Sequence, residues 1–155
     1  RYDVPLAPCL NFGWGAGLVY SWTNFKYLRW QAKTHIAQGV QGLDFWTLRF
    51  CDGRHWTLFS ELSRIFSATQ DIVWDGERAD EQVTVEGPEA AFSRAFRSEN
   101  RFMVGITNRD QQEVTVRIEP PEGYGRGHLV LQGGPAGTEF AVPPMDGVFI
   151  VYERE

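Results

Sequence analysis

Several classes of protein are excluded by what this sequence lacks. It contains two cysteines, Cys9 and Cys51, too few for a disulfide scaffold and without the CxxC or Cys/His spacing of a zinc site. They read as buried free thiols or as one disulfide. No apolar run approaches the roughly 18–20 residues of a membrane span, and the first residues lack the basic-then-apolar pattern of a signal peptide. No basic cluster breaks the net charge of -5, so neither nucleic acid nor membrane is an expected partner. No Ser/His/Asp set, phosphate loop or metal cluster is present, and no cofactor is expected. The chain opens at "RYDVPLAPCL" without an initiator Met, which is compatible with a missing natural start.

What is present is the composition of a globular protein, 43% hydrophobic and 23% charged over 155 residues. The distribution is uneven. All six tryptophans (Trp14, Trp22, Trp30, Trp46, Trp56 and Trp74) lie in the first 74 residues, whereas sixteen of the twenty acidic residues lie from Asp71 onward. Two structural units, 1–70 and 71–155, account for this break.

In the first unit "VPLAPCLNF" reads as a short strand entering a glycine-rich loop, "GWGAG". From Ser21 the spacing of Phe25, Leu28, Ala32 and Ile36 predicts a helix that stops at Gly39. "VQGLDFWTLRF" then has the length and β-branched or aromatic content of a strand. "CDGRHW" is a turn in which Asp52 suits a helix N-cap. Leu58, Leu62, Ile65 and Phe66 share one face of a second helix. Strand, helix, strand, helix is the order of a parallel βαβα arrangement. Such a pair of strands needs neighbours at both edges and helices over its faces, so further strands must come from the same or another chain.

After residue 70 the period switches to two, clearest in Val114, Val116 and Ile118 and in Val148, Ile150 and Tyr152. Seven or eight short strands, starting with "DIVWDG" at Asp71, predict a small antiparallel β-sandwich.

The segment "HIAQGVQGLDFWTLRFCDGRHWTLFSELSRI" resembles the last helix, strand and helix of a (β/α)8-barrel glycoside hydrolase. In that family a helix ends in an A-x-G-x-x-G turn, here Ala37, Gly39 and Gly42, before a final strand with an aromatic at its carboxyl end, here Trp46. The sandwich is similar to the C-terminal β-domain that many such hydrolases carry, β-galactosidases and α-amylase-type enzymes among them. The resemblance implies α/β plus all-β architecture: the last two βα units of the barrel, then the sandwich. Residues 4–12 would be the seventh barrel strand and 41–50 the eighth, with the active site at their carboxyl ends.

Glycoside hydrolysis needs two carboxyl groups across the scissile bond. The stretch from Val4 to Tyr20 contains no acidic residue, although many related barrels place a nucleophilic Glu at the end of that strand. The catalytic carboxylates would then lie on earlier strands, and the isolated chain would be inactive. Asp44 and Trp46 share a strand face opposite Leu43 and Phe45. If Leu43 and Phe45 meet the helices, Asp44 points into the barrel and pairs with a cation from a missing strand, contacts substrate, or does direct acid or base work. Trp46 would stack on a sugar ring or pack in the core. Asn11, Trp14 and Arg49 are further candidates for carbohydrate contact, with loop packing as their alternative role. Two other functions fit the sequence: a non-catalytic carbohydrate-binding module, and a structural subunit completing a barrel from another chain.

Overall fold

The computed structural model describes residues 7–11, 13–16, 19–22, 24–46 and 52–155; the side chains of residues 11, 13–16, 19–22 and 46 are outside that description. The protein combines helices with parallel and antiparallel sheet. In chain order the elements are β1 (Cys9–Asn11), β2 (Gly13–Ala16), β3 (Val19–Trp22), α1 (Phe25–Ala37), β4 (Asp44–Trp46), α2 (Gly53–Asp75), β5 (Glu77–Arg78), a 3-10 turn at Asp80–Gln82, β6 (Thr84–Glu86), β7 (Ala91–Arg97), β8 (Arg101–Asn108), β9 (Val114–Glu119), β10 (His128–Leu129), β11 (Glu139–Val142) and β12 (Asp146–Glu153).

β1 and β4 pair in parallel, and β2 and β3 form an antiparallel hairpin between β1 and α1. The second part holds a five-stranded sheet, in the order β10-β12-β8-β7-β5, and a three-stranded sheet, β11-β9-β6. The neighbours in both are antiparallel.

The five-stranded sheet is the middle layer. Phe102, Val104 and Ile106 of β8 and Val148, Ile150 and Tyr152 of β12 meet Val114, Val116 and Ile118 of β9 in one core. The intervening residues, Met103, Phe149 and Val151, face the other way and join Leu28, Ala32 and Ile36 of α1 and Leu58, Leu62, Ile65 and Ile72 of α2 in a second. Alternation therefore puts apolar side chains on both faces of β8 and β12, so the period of two read at Val148, Ile150 and Tyr152 marks only one of the two buried faces of β12. Each fully buried aliphatic or aromatic side chain contributes about 1.5–3 kcal/mol. β9, by contrast, covers one face only, and its buried and exposed residues alternate along its whole length.

Helix α1 ends as the sequence predicts. Gly39 takes φ +85°, its N–H bonds to the Ile36 carbonyl and the Val40 N–H bonds to that of His35, the two bonds of a Schellman motif. A side chain at Gly39 would collide with the Phe96 ring, so this position both ends the helix and lets β7 approach it.

Four sequence expectations are corrected. The expected glycine loop is the β2–β3 hairpin, whose register pairs Trp14 with Ser21 and Gly15 with Tyr20; its aromatic and β-branched residues favour extended chain over loop. α1 accordingly starts four residues later than Ser21, capped by the Asn24 side chain, which accepts from Lys26 N. "DIVWDG" is not a strand but the last turns of α2, because Leu58, Leu62, Ile65, Thr69 and Ile72 continue a spacing of four and three along one buried face. Finally, Cys9 is a free, exposed thiol rather than a buried one; Cys51 lies outside the described residues.

The contact between helices and sheet also contains charge. Lys33 is 1% exposed, and its ammonium donates to Asp146 Oδ1 at 2.5 Å and lies 3.2 Å from Glu61 Oε2. Arg29, one turn earlier, donates to both carboxylate oxygens of Glu61 at 2.8 Å and sits 3.1 Å from Asp146. Two cations from α1 thus neutralise one carboxylate from α2 and one from β12. At the other end of α2, Arg101 of β8 clamps Asp71 at 2.7 Å and the Ala68 carbonyl at 2.8 Å.

Candidate functional site at the ends of the parallel strands

The parallel ladder aligns Cys9 with Asp44, Leu10 with Phe45 and Asn11 with Trp46. Leu10 is buried in the helix-facing core, and Leu43 and Phe45 pack against it. Phe45 meets Phe59 of α2 edge-on, with ring centroids 4.8 Å apart, and Trp56 extends the group at 5.4 Å from Phe59. The helices therefore cover one face of the strand pair. Strand alternation puts Cys9 and Asp44 on the opposite face, and there both are exposed. The Asp44 carboxylate accepts a bond from the Phe45 N–H at 2.8 Å.

Of the residues named from sequence, the fold brings Asn11 and Trp46 side by side as the last residues of their strands. Asp44 lies two residues before Trp46 in β4, paired with Cys9. Trp14 stands in the hairpin that follows β1, hence at the same end of the strand pair. Arg49 lies outside the described residues.

The turn after β4 is locked locally. Asp52 caps α2, accepting from the Arg54 N–H at 2.9 Å and the His55 N–H at 3.3 Å, while His55 Nδ1 accepts from the Asp52 N–H at 3.2 Å, which closes a capping box. The Arg54 guanidinium, 2.7 Å from the carboxylate, holds the Asp52 carboxyl well below the usual range, and the bonds from the Arg54 and His55 backbone N–H groups act in the same direction. Asp52 is thus a permanently charged cap at neutral pH. His55 is buried against the edge of Phe25 at 5.2 Å, which ties the start of α2 to the start of α1.

On the exposed face Asp44 is the one carboxylate among the described residues of the two strands. One carboxylate can bind a hydroxyl or hold a cation, but it cannot be both general acid and nucleophile across a glycosidic bond. Sequence reading missed the Lys33 cluster. Its signal was present in Arg29 and Lys33, four apart beside the apolar stripe of α1, but their partners Glu61 and Asp146 are distant in sequence and only the packed fold joins them.

No protein-family model matches the chain, and no curated protein matches its sequence. Solved structures do. A GH27 β-L-arabinopyranosidase from Geobacillus stearothermophilus superposes with a TM-score of 0.63 at 11% identity, over 96% of this chain and 36% of that one.

In fold, the chain resembles part of a glycoside hydrolase.

The family 30, subfamily 8 xylanase Xyn30A from Clostridium acetobutylicum matches 98% of the chain with 46% of its own, at 7% identity and a TM-score of 0.53. The noncanonic maltogenic α-amylase AmyB from Thermotoga neapolitana matches 84% with 37% of its own, at 12% identity and a TM-score of 0.57. The chain spans less than half the length of each of these three structures. The likeness to (β/α)8-barrel glycoside hydrolases implied by the sequence is therefore met in three dimensions, at the level of fold.

Proposed function

We propose that this chain is the C-terminal part of a glycoside hydrolase acting on an oligo- or polysaccharide, with 1–70 supplying the last two βα units of its barrel and 71–155 a β-sandwich. The observation that carries this reading is the incomplete parallel sheet. β1 and β4 are paired and roofed by helices on one side, yet on the other they present Cys9 and Asp44 to solvent. Parallel strands are otherwise covered on both faces, and in a closed barrel the bare face would be the packed interior. Of the three exposed aromatics of the helix pair, Tyr27 at 46%, Trp56 at 58% and Trp74 at 48%, the first two fit the same view as surface that neighbouring barrel helices would cover.

In this reading Asn11, Trp14, Trp46 and Arg49 meet the sugar at the barrel mouth. Trp46 supplies a flat apolar face for a pyranose ring, and Asn11 beside it supplies a hydrogen-bonding amide. Asp44, deeper, bonds a substrate hydroxyl or an arginine or lysine of a neighbouring strand. The general acid and its partner carboxylate belong to the strands that complete the barrel.

Two measurements test this. The 155-residue chain, incubated with chromogenic glycosides, is expected to give no turnover; robust hydrolysis would refute the assignment of both catalytic groups to other strands. The reading frame upstream of Arg1 is expected to encode six further strand–helix pairs, and an in-frame stop directly before it, with no partner chain co-purifying, would refute the barrel reading itself.

A further inference from the structure

A second polar depression lies far from the strand ends. α2 starts beside the end of β4 and runs 23 residues, about 34 Å, to Asp75. There its last turn meets the β7–β8 turn, the loop after β9 and the end of the chain around a groove of about 590 Å³. That volume is in the range of ligand sites, about 300–1,000 Å³.

Tyr124 is the groove's aromatic residue. Its ring rests edge-on against the fully buried Phe102 at 5.3 Å, and its backbone is held by a bridge to Arg154 and by the bond from the Gly125 N–H to the Glu153 carbonyl at 2.8 Å. The ring is therefore rigid before any ligand arrives, which lowers the entropic cost of binding. Beside it Gly123 adopts φ +80° and nothing outside its chain neighbours lies within 4 Å of where a Cβ would be, so the groove is open at that position.

The rest of the groove alternates donors and acceptors. Arg97 is held by Glu77 and donates to Gln82 Oε1 at 3.2 Å. Arg154 donates to the Glu99 carbonyl at 3.2 Å, leaving the Glu99 carboxylate and that of Glu122 as acceptors on the rim. Carboxylates outnumber guanidinium groups here, which disfavours an anion, and a lining this polar disfavours an apolar ligand. A rigid ring ringed by planar donors and acceptors matches a neutral sugar, which offers an apolar C–H face and a belt of hydroxyls.

We propose that this groove is a second, non-catalytic saccharide-binding site, in which Tyr124 stacks on one neutral sugar residue while Arg154 and Glu99 bond its hydroxyls. The proposal rests on the glycosidase reading only for the choice of polymers. Native affinity electrophoresis of the 155-residue chain in gels cast with xylan, arabinogalactan or soluble starch is the test. Retardation is expected in at least one polymer. Tyr124→Ala is expected to weaken it tenfold or more and Arg154→Ala severalfold. Circular dichroism melts confirm that each variant is folded, and Arg154, exposed on the surface, gives a variant that should fold even if Tyr124→Ala does not. The proposal is overturned if no polymer retards the protein, or if folded Arg154→Ala and Tyr124→Ala bind as tightly as the parent. Binding lost in Trp46→Ala alone would also overturn it while supporting the strand-end site, so the two readings fail separately.

Discussion

Replacing Lys33 by methionine removes one cation from a buried cluster that is balanced two against two. The parent has Arg29 and Lys33 facing Glu61 and Asp146, with Lys33 at 2.5 Å from Asp146 and 3.2 Å from Glu61. In Lys33→Met two carboxylates share one guanidinium at the junction of α1, α2 and β12. Breaking one partner of a buried ion pair costs about 3–5 kcal/mol. Arg29 remains 3.1 Å from Asp146 and 2.8 Å from Glu61, so the lower end of that range, about 3 kcal/mol, is expected. For a chain of this length that is a fall in Tm of roughly 6–12 °C. Asp146→Asn leaves the opposite imbalance and should cost a similar amount while its side-chain oxygen still accepts from the Gly147 N–H, a 2.7 Å bond in the parent. The double variant restores neutrality as an Arg29–Glu61 pair. Urea or thermal unfolding of all four proteins should therefore show a favourable coupling above about 1 kcal/mol. Additivity of the two single effects to within about 0.5 kcal/mol would refute the view that charge balance, rather than packing alone, holds the helices to the sheet.

The other predictions concern packing and pH. A Cβ at Gly105 would lie 2.9 Å from Ala37 Cβ and 3.0 Å from Phe149 Cε1, so Gly105→Ala should destabilise by about 1–3 kcal/mol; a denaturation midpoint equal to the parent's would show that α1 is not seated on β8 as described. Burial pushes the Tyr152 hydroxyl up to about 12. Its folded value lies above the unfolded one, so its stabilisation is complete below about pH 10 and is lost as pH rises toward 12. Tyr152→Phe should match the parent at pH 7 and escape roughly 1.4 kcal/mol of loss per pH unit in that window, measured as the difference in unfolding free energy between the two proteins; parallel pH profiles would contradict the burial argument.

Local physics made much of this molecule legible in the sequence. Spacings of three and four placed both helices, Gly39 marked the end of the first, and Asp52 announced the cap of the second, because each of these signals acts within a few residues. Strict alternation revealed β9, which has one wet face, and the same alternation put Asp44 opposite Leu43 and Phe45. Misreadings arose where neighbouring signals competed: β-branched residues at the end of α2 imitated a strand, and glycines within β2 imitated a loop.

The tertiary structure decided what depends on residues far apart in the chain. It set Asn11 beside Trp46, since strand register is a property of two segments and not of either one. It turned β8 and β12 into a middle layer with two apolar faces, joined Lys33 to Asp146 across 113 residues of sequence, and gathered Tyr124, Arg97 and Arg154 from three separate parts of the chain into one groove. Amino-acid order governs what each segment prefers by itself; only the packed chain determines which of those segments meet.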